Sequence, residues 1–317
     1  MKANDKLNQL AERVTGEIIE LLENGKVAWH KPWTAHGMPQ NVITKRNYDG
    51  FNAFYLNLIT MRKEYSAPFF LTFKQAQQKG GHVKKGEKGY SIVFWKIDTV
   101  LKGFTTDEET GEEQSKFGKR FTPFIWTVFN IDQIEGISFD TTIKERTPNE
   151  IIDACQQLVD NMPHAPLISH GGNEAFYSPS LDMVQMPDRN DFKNSELYYS
   201  VLFHELIHST GHKARLDRFA EQESPARFGN AEYSKEELVA ELGAAFLCAQ
   251  TGLINQTIQS SAAYIKGWLK ALKNDKSLIL SAATKAGKAA NFIIGNNSAE
   301  ETETQEDEQG TFQRAVA

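Results

Sequence analysis

The chain has 317 residues, 40% of them apolar and 24% charged, and a net charge of −6. That composition excludes a fibrous or wholly disordered polymer, and the length suffices for two domains, each expected to enclose its own core. No run of about 18 apolar residues is present, so no membrane-spanning helix is expected.

The opening "MKANDKLNQLAERVTGEIIELLENGK" scatters charges where a secretion signal needs an apolar stretch. Residues 7–24 place Leu7, Leu10, Val14, Ile18, Leu21 and Leu22 on one helical face, and Asn24-Gly25 is a natural stop. After a turn-rich stretch, a second helix near 51–63 presents Phe51, Phe54, Tyr55 and Leu58. "LTFKQAQQKGG" predicts a short helix closed by two glycines. "GYSIVFWKIDTV" and "FTPFIWTVFNIDQI" have the β-branched and aromatic content of paired strands. The acidic "GFTTDEETGEEQSKFGK" between them reads as a long exposed hairpin loop. The first half is therefore expected to be α+β with an antiparallel sheet.

The polar segment 138–148 reads as a linker. "NEIIDACQQLVDNM" predicts a helix, "AFYSPSLDMVQMP" a strand-like segment, and "SELYYSVLFHELIHST" an amphipathic helix capped by Asn194 or Ser195. "SKEELVAELGAAFLCAQTG" predicts a helix with Ser234 as N-cap, Glu237 at N3 and Gly252 as stop. Two more helices are expected over 257–273 and 276–294, then a disordered acidic tail over 297–317. The second half is thus mainly helical with a small sheet. The domain division expected is 1–140, 141–296 and the tail. Cys155 and Cys248, the only two cysteines, lie far apart in apolar contexts. They read as reduced core residues, which fits the cytoplasm.

His204, Glu205 and His208 form an H-E-x-x-H motif inside a predicted helix. Side chains at i and i+4 share a face, so His204 and His208 can reach one cation. Glu205 is rotated by about 100° and can take a proton from a metal-activated water, the arrangement of zinc hydrolases. His212 is a tempting third ligand because "HSTGH" resembles the start of the metzincin pattern, but that pattern needs a histidine where this chain has Ala214. His212 is read as a loop residue or an indirect neighbour of the metal. The acidic helix supplies the better candidates, Glu237 and Glu241, an i,i+4 pair among apolar neighbours. The spacing resembles the glutamate helix of gluzincins, where the first acid binds metal and the second orients a ligand histidine. On that resemblance Glu237 is assigned as ligand and Glu241 as its orienting neighbour, with the reverse assignment left open. Glu236 fits a solvated surface acid. Tyr177, upstream at a strand end, could reach a substrate carbonyl or the water; a structural aromatic is the alternative.

Charge is uneven. Residues 1–135 hold 19 Lys+Arg against 16 Asp+Glu, and 24–104 hold 13 against 4. A basic half predicts an anionic partner, and cations mixed with aromatics suit single-stranded DNA through phosphate contacts and base stacking. Candidates are Trp29, Trp33, Lys45, Arg46, Tyr48, Lys84, Lys85 and Lys88; Trp29, Trp33 and Trp95 could equally be core residues.

"PWTAHGMPQNVITKRNYDGFN", "LTFKQAQQKGGHVKKGEKG", "FNIDQIEG", "FHELIHSTGHKARLD" and "EELVAELGAAFL" follow one another in the order found in ArdC-type antirestriction proteins. The chain resembles that family to about residue 295; the acidic loop at 103–119 and the tail are the least similar parts. The resemblance implies a single-stranded DNA-binding first domain, a zincin-like metallopeptidase second domain, and protection of a mobile element's incoming DNA from host restriction. It places the metal, Zn²⁺ or another divalent ion such as Mn²⁺, on His204 and His208, with Glu205 as acid/base and the third acid from 236–241. If the site chemistry is metal-dependent peptide hydrolysis, a DNA-bound or crosslinked protein is the expected substrate of such a DNA-recruited peptidase. A non-enzymatic DNA shield with a structural metal is the alternative.

Overall fold

The computed structural model of the chain describes residues 3–27, 37–106, 113–142, 146–221, 231–253 and 262–296. Helix α1 (Ala3–Glu23) buries Leu10, Val14, Ile18 and Leu22, the stripe expected from its period. Helix α2 (Gly50–Lys63) starts at Asp49, whose carboxylate accepts from Gly50 N, and ends at Glu64 in the left-handed conformation. Every residue from Gly50 to Thr60 is buried, so α2 is a core helix rather than a surface one.

The first sheet runs β1 (Gln40–Asn41), β2 (Phe69–Thr72), β5 (Glu113–Asn130), β4 (Tyr90–Thr106). Only the β1–β2 pair is parallel. Helix α3 (Phe73–Gln78) begins in a capping box between Thr72 and Gln75, and β3 (His82–Val83) pairs with β6 (Ile134–Glu135). The expected loop at 103–119 is mostly strand: β4 and β5 pair as far as Thr106 opposite Glu113. Its Gly and acidic residues signal a turn, but the alternating Phe104, Phe117 and Phe121 carry the pairing on.

In the second half, Thr147 and Glu150 form a capping box for α4 (Pro148–Asp160). "AFYSPSLDMVQMP" divides into two strands, so that the three-stranded sheet is β7 (Leu167–His170), β9 (Met183–Met186), β8 (Phe176–Ser178). Strand β8 is an edge and lies against α5 (Ser195–Ser209). Helices α6 (Ala231–Thr251), α7 (Ala262–Asn274) and α8 (Leu278–Ile294) complete the described chain. Helix α6 starts three residues before Ser234, which is therefore inside the helix and not its cap. The tail at 297–317 and part of the expected helix at 257–273 lie outside the described residues.

The expectation of one core per half is not what the packing shows. A single buried cluster joins Leu10 and Val14 of α1 and Phe54 and Leu58 of α2 to Phe203 of α5, Leu242 of α6 and Ala286 of α8. A smaller cluster of Val42, Leu71, Phe129 and Ile134 sits beneath the first sheet. Thr15 Oγ1 donates to Lys276 O at 2.6 Å, and Asn291 Nδ2 donates to Asp49 Oδ2 at 2.6 Å. Where α2 meets α8, a Cβ added to Gly287 would stand 2.7 Å from Gly50 Cα, so only glycine permits the approach.

Candidate metal centre and nucleic-acid surface

Helix α5 is fixed at its start by Asn194, whose side chain accepts from Leu197 N at 2.8 Å. It is buried on most of its circumference, not on one face, because α6, α8, β8 and β9 all pack against it. Helix α6 approaches closely at Gly243, where any Cβ would meet the Ile207 side chain at 2.6 Å. That approach sets Glu236, Glu237 and Glu241 against the histidines of α5.

His204 Nε2 and His208 Nε2 lie 3.1 Å apart. Glu237 Oε2 is 3.5 Å from the first and Glu237 Oε1 is 3.4 Å from the second. Ligand atoms about 2.0–2.1 Å from a tetrahedral ion are separated by roughly 3.3–3.4 Å, so this spacing suits one small divalent cation. Glu237 Oε2 is buried and accepts no hydrogen bond. A buried carboxylate oxygen of that kind is costly unless a cation meets it. Burial disfavours the charged form of each histidine, yet Glu237, with Glu236 beside His208, holds both above their ordinary range. Burial likewise raises Glu237, and the two imidazoles outweigh it, leaving the carboxyl well below its ordinary value.

The outer nitrogens face further acids. His204 Nδ1 is 3.7 Å from Glu241 Oε1, and His208 Nδ1 is 3.3 Å from Glu236 Oε1. Such partners orient an imidazole toward an ion and raise its basicity. Glu236, expected on the surface, is only 7% exposed. Arg218 grips it with Nε to Oε2 at 3.0 Å and Nη2 to Oε1 at 2.6 Å, and also donates to Thr210 Oγ1 and Ile207 O. Burial would raise the Glu236 carboxyl, but Arg218 and His208 hold it low. The pair Arg218–Glu236 escaped the sequence reading because nothing in 236–241 shows which acid turns inward; a helix apolar on every side was the available signal. Glu205, beside His204, is 5% exposed, and its charge helps keep both histidines basic.

Two expected neighbours are placed elsewhere. Tyr177 donates its hydroxyl to Asp182 Oδ1 at 2.8 Å and accepts from Arg215 Nη2 at 3.2 Å. Arg215 also pairs with Asp182 and donates to Ser209 O at the end of α5. Tyr177 is thus committed to a polar brace, which corrects the expectation that its hydroxyl is aimed at substrate. His212 Nδ1 accepts from Ala214 N at 3.2 Å and lies 3.7 Å from Asp182 Oδ2, outside the cluster of His204, His208 and Glu237.

In the first half, Lys45, Arg46, Lys84, Lys85 and Lys88 are exposed. Lys84 Nζ donates to Asp132 O at 2.7 Å. Lys45 and Lys79 border a cavity of about 500 Å³ that also meets Val42, Ile137 and Phe139, far in sequence from the histidines. Tyr48 is buried and edge-on to Phe70, so it offers no free ring for a base, which corrects its assignment as a DNA contact. Trp29 and Trp33 lie outside the described residues. Trp95, grouped with the core-type tryptophans, is 37% exposed.

Comparison with known proteins gives two family matches: the N-terminal domain of anti-restriction factor ArdC over residues 8–124, and a zincin-like metallopeptidase over residues 154–285. A Sinorhizobium fredii protein described as uncharacterized protein y4eC is 34% identical over 291 residues, covering 90% of this chain and 92% of its own length. A DNA primase TraC of Escherichia coli is 35% identical over 299 residues, 89% of this chain. The chain spans only 27% of that primase. The crystal structure of the antirestriction ArdC protein from plasmid R388, metal-free, is 38% identical with a TM-score of 0.67, covering 90% of this chain and 97% of that one. Its Mn(II)-bound structure is 36% identical with the same TM-score and coverage. No described helix is long and apolar enough to cross a membrane.

Proposed function

We propose, from the premise that this chain belongs to the ArdC-type antirestriction family, that it binds single-stranded DNA and hydrolyses peptide bonds at a zinc centre. It acts in the cytoplasm on incoming DNA of a mobile element, which it protects from host restriction. Residues 1–140 are the proposed DNA-binding unit and 141–296 the proposed peptidase unit. His204, His208 and Glu237 hold the ion, and Glu241 and Glu236 steady the histidines. Two imidazoles and one carboxylate suit Zn²⁺ best, with Mn²⁺ as the alternative. A bound Zn²⁺ supplies Lewis acidity that polarises a carbonyl and makes water a stronger acid.

The chain's own groups then do the following. Glu205 takes a proton from the attacking water at its carboxylate and returns it to the leaving amine nitrogen. Edge strand β8, beside α5, offers main-chain hydrogen bonds to an extended peptide. The substrate class is a protein bound or crosslinked to DNA, such as a restriction component. The observation that carries this reading is the buried Glu205 beside three convergent ligand atoms; a structural ion needs no acid/base neighbour.

A second reading has the ion only tying α5 to α6 while the first half coats DNA. The burial of His204 and Glu237, 5% and 4% exposed, favours it. The deciding test is protection of incoming plasmid DNA in a restricting host by wild type and Glu205→Gln. Loss of protection, with metal content and DNA binding retained, supports hydrolysis. Full protection by the variant leaves the shield.

A further inference from the structure

One buried cation beside the histidines belongs to neither of the helices that carry the ligands. Arg218 opens the short 3-10 turn Arg218–Glu221 that lies between α5 and α6 in the chain. It is only 5% exposed, and a buried guanidinium needs partners for its N–H groups. Nε and Nη2 clasp the two oxygens of Glu236, while Nη1 donates to Thr210 Oγ1 at 2.8 Å. Nη2 also donates to Ile207 O at 3.0 Å. Ile207 precedes His208 in the last turn of α5, where a helix leaves carbonyls without an internal partner. One side chain thus holds both the backbone that carries His208 and the acid opposite that ring.

The orientation of Glu236 follows. A guanidinium that meets both carboxylate oxygens fixes the plane of the group, which a single contact leaves free to rotate. Held so, Glu236 Oε1 stands 3.3 Å from His208 Nδ1. An arginine-paired carboxylate can only accept, so a neutral imidazole there carries its hydrogen on Nδ1. The lone pair is left on Nε2, the nitrogen 3.1 Å from His204 Nε2 and 3.4 Å from Glu237 Oε1. His204 has the same kind of neighbour at longer range, with Glu241 Oε1 3.7 Å from its Nδ1. Loss of the acid behind a ligand histidine costs about 10–100-fold in metal affinity.

We infer that Arg218 is a positioning residue of the metal centre: it sets the Glu236 carboxylate against His208 Nδ1 and so directs His208 Nε2 at the ion. This rests on the reading of His204, His208 and Glu237 as the ligands. The centre is then assembled from three elements, α5, α6 and the turn at Arg218, and not from the two helices alone.

The test uses the full chain. Zn²⁺ affinity is measured by competition with a chromophoric chelator, and the absorption bands of added Co²⁺ report the ligand geometry. Arg218→Lys keeps a buried cation beside Glu236 but cannot span both oxygens, and is expected to bind Zn²⁺ about tenfold more weakly with altered Co²⁺ bands. Arg218→Met with Glu236→Met removes both charges together, so its unfolding midpoint is expected to stay near that of the wild type. Its Zn²⁺ affinity is nevertheless expected to fall by about 10–100-fold, because His208 has lost its acceptor. Wild-type affinity and Co²⁺ bands in a folded Arg218→Lys overturn the role of Arg218, whatever the double variant does. If Arg218→Lys does not fold, the double variant decides alone, and unchanged affinity there reduces the pair to a structural tie and ends the inference. If the wild type binds neither Zn²⁺ nor Co²⁺, the metal reading itself fails and takes this inference with it.

Discussion

Glu236 illustrates how much a single residue's neighbours decide. It is buried, charged, and doubly held by Arg218 while touching His208. Removing one member of a buried ion pair strands the other charge. Arg218→Met is therefore expected to destabilise the fold by about 3–5 kcal/mol, measured by denaturant unfolding. A loss below about 1 kcal/mol would show the pair to be solvated. The histidines give a pH signature. His204 and His208 are held above the ordinary 6.5, so without metal their contribution to stability is complete below that pH. It is lost as pH rises through their folded values. Glu237 is held below its ordinary 4.5, so its contribution is present above that pH and lost on acidification. Metal-free protein should melt at progressively lower temperature as pH rises from about 6.5. Added Zn²⁺, which needs deprotonated imidazoles, should remove that decline. A flat metal-free profile on the alkaline side would contradict the geometry.

Among the elements, α6 is the decisive one. Its apolar residues occupy every side, so it is wrapped by α5, α7 and α8 and its acids are forced inward. The crossing of α2 on α8 is equally exacting. Gly287→Ala places a Cβ 2.6 Å from Asp49 Oδ1 and 2.7 Å from Gly50 Cα. The helices must move apart, and a loss of about 1–3 kcal/mol is expected. A differential scanning calorimetry trace unchanged by this substitution would mean that the contact is slack. The β4–β5 arm shows the opposite regime, with most of its large side chains uncovered. Substitutions of its exposed side chains should leave the melting temperature little changed.

For the whole molecule, the shared core has a direct consequence. Apolar faces of α1 and α2 are covered by α7 and α8, and the largest buried cluster runs through both halves. The full chain should unfold in one cooperative transition followed equally by far-UV circular dichroism and by calorimetry. A fragment of 1–140 should lack that transition, because it exposes the faces that α8 covers. Two separated transitions in the full chain would show the halves to be independent. The same continuity joins the root of the β4–β5 ribbon to α5, the helix that carries both histidines, through α2 against β4 and α8 against both α2 and α5.

The sequence alone determined what depends on local chemistry. The period of Leu10, Val14, Ile18 and Leu22, the Asn194 cap and the Thr147–Glu150 box specify helices wherever the chain lies. The i,i+4 spacing of His204 and His208 presents two imidazoles to one point because a helix repeats every 3.6 residues. Tertiary structure decided what depends on which surfaces meet. It turned Glu236 inward against an arginine 18 residues away in sequence, set Glu237 between the histidines, and bound Tyr177 to Asp182. It also fused two expected cores into one and left a row of aromatics exposed along an arm where an acidic loop was expected. Periodicity states that a side chain lies on a face; only packing between distant segments states what that face meets.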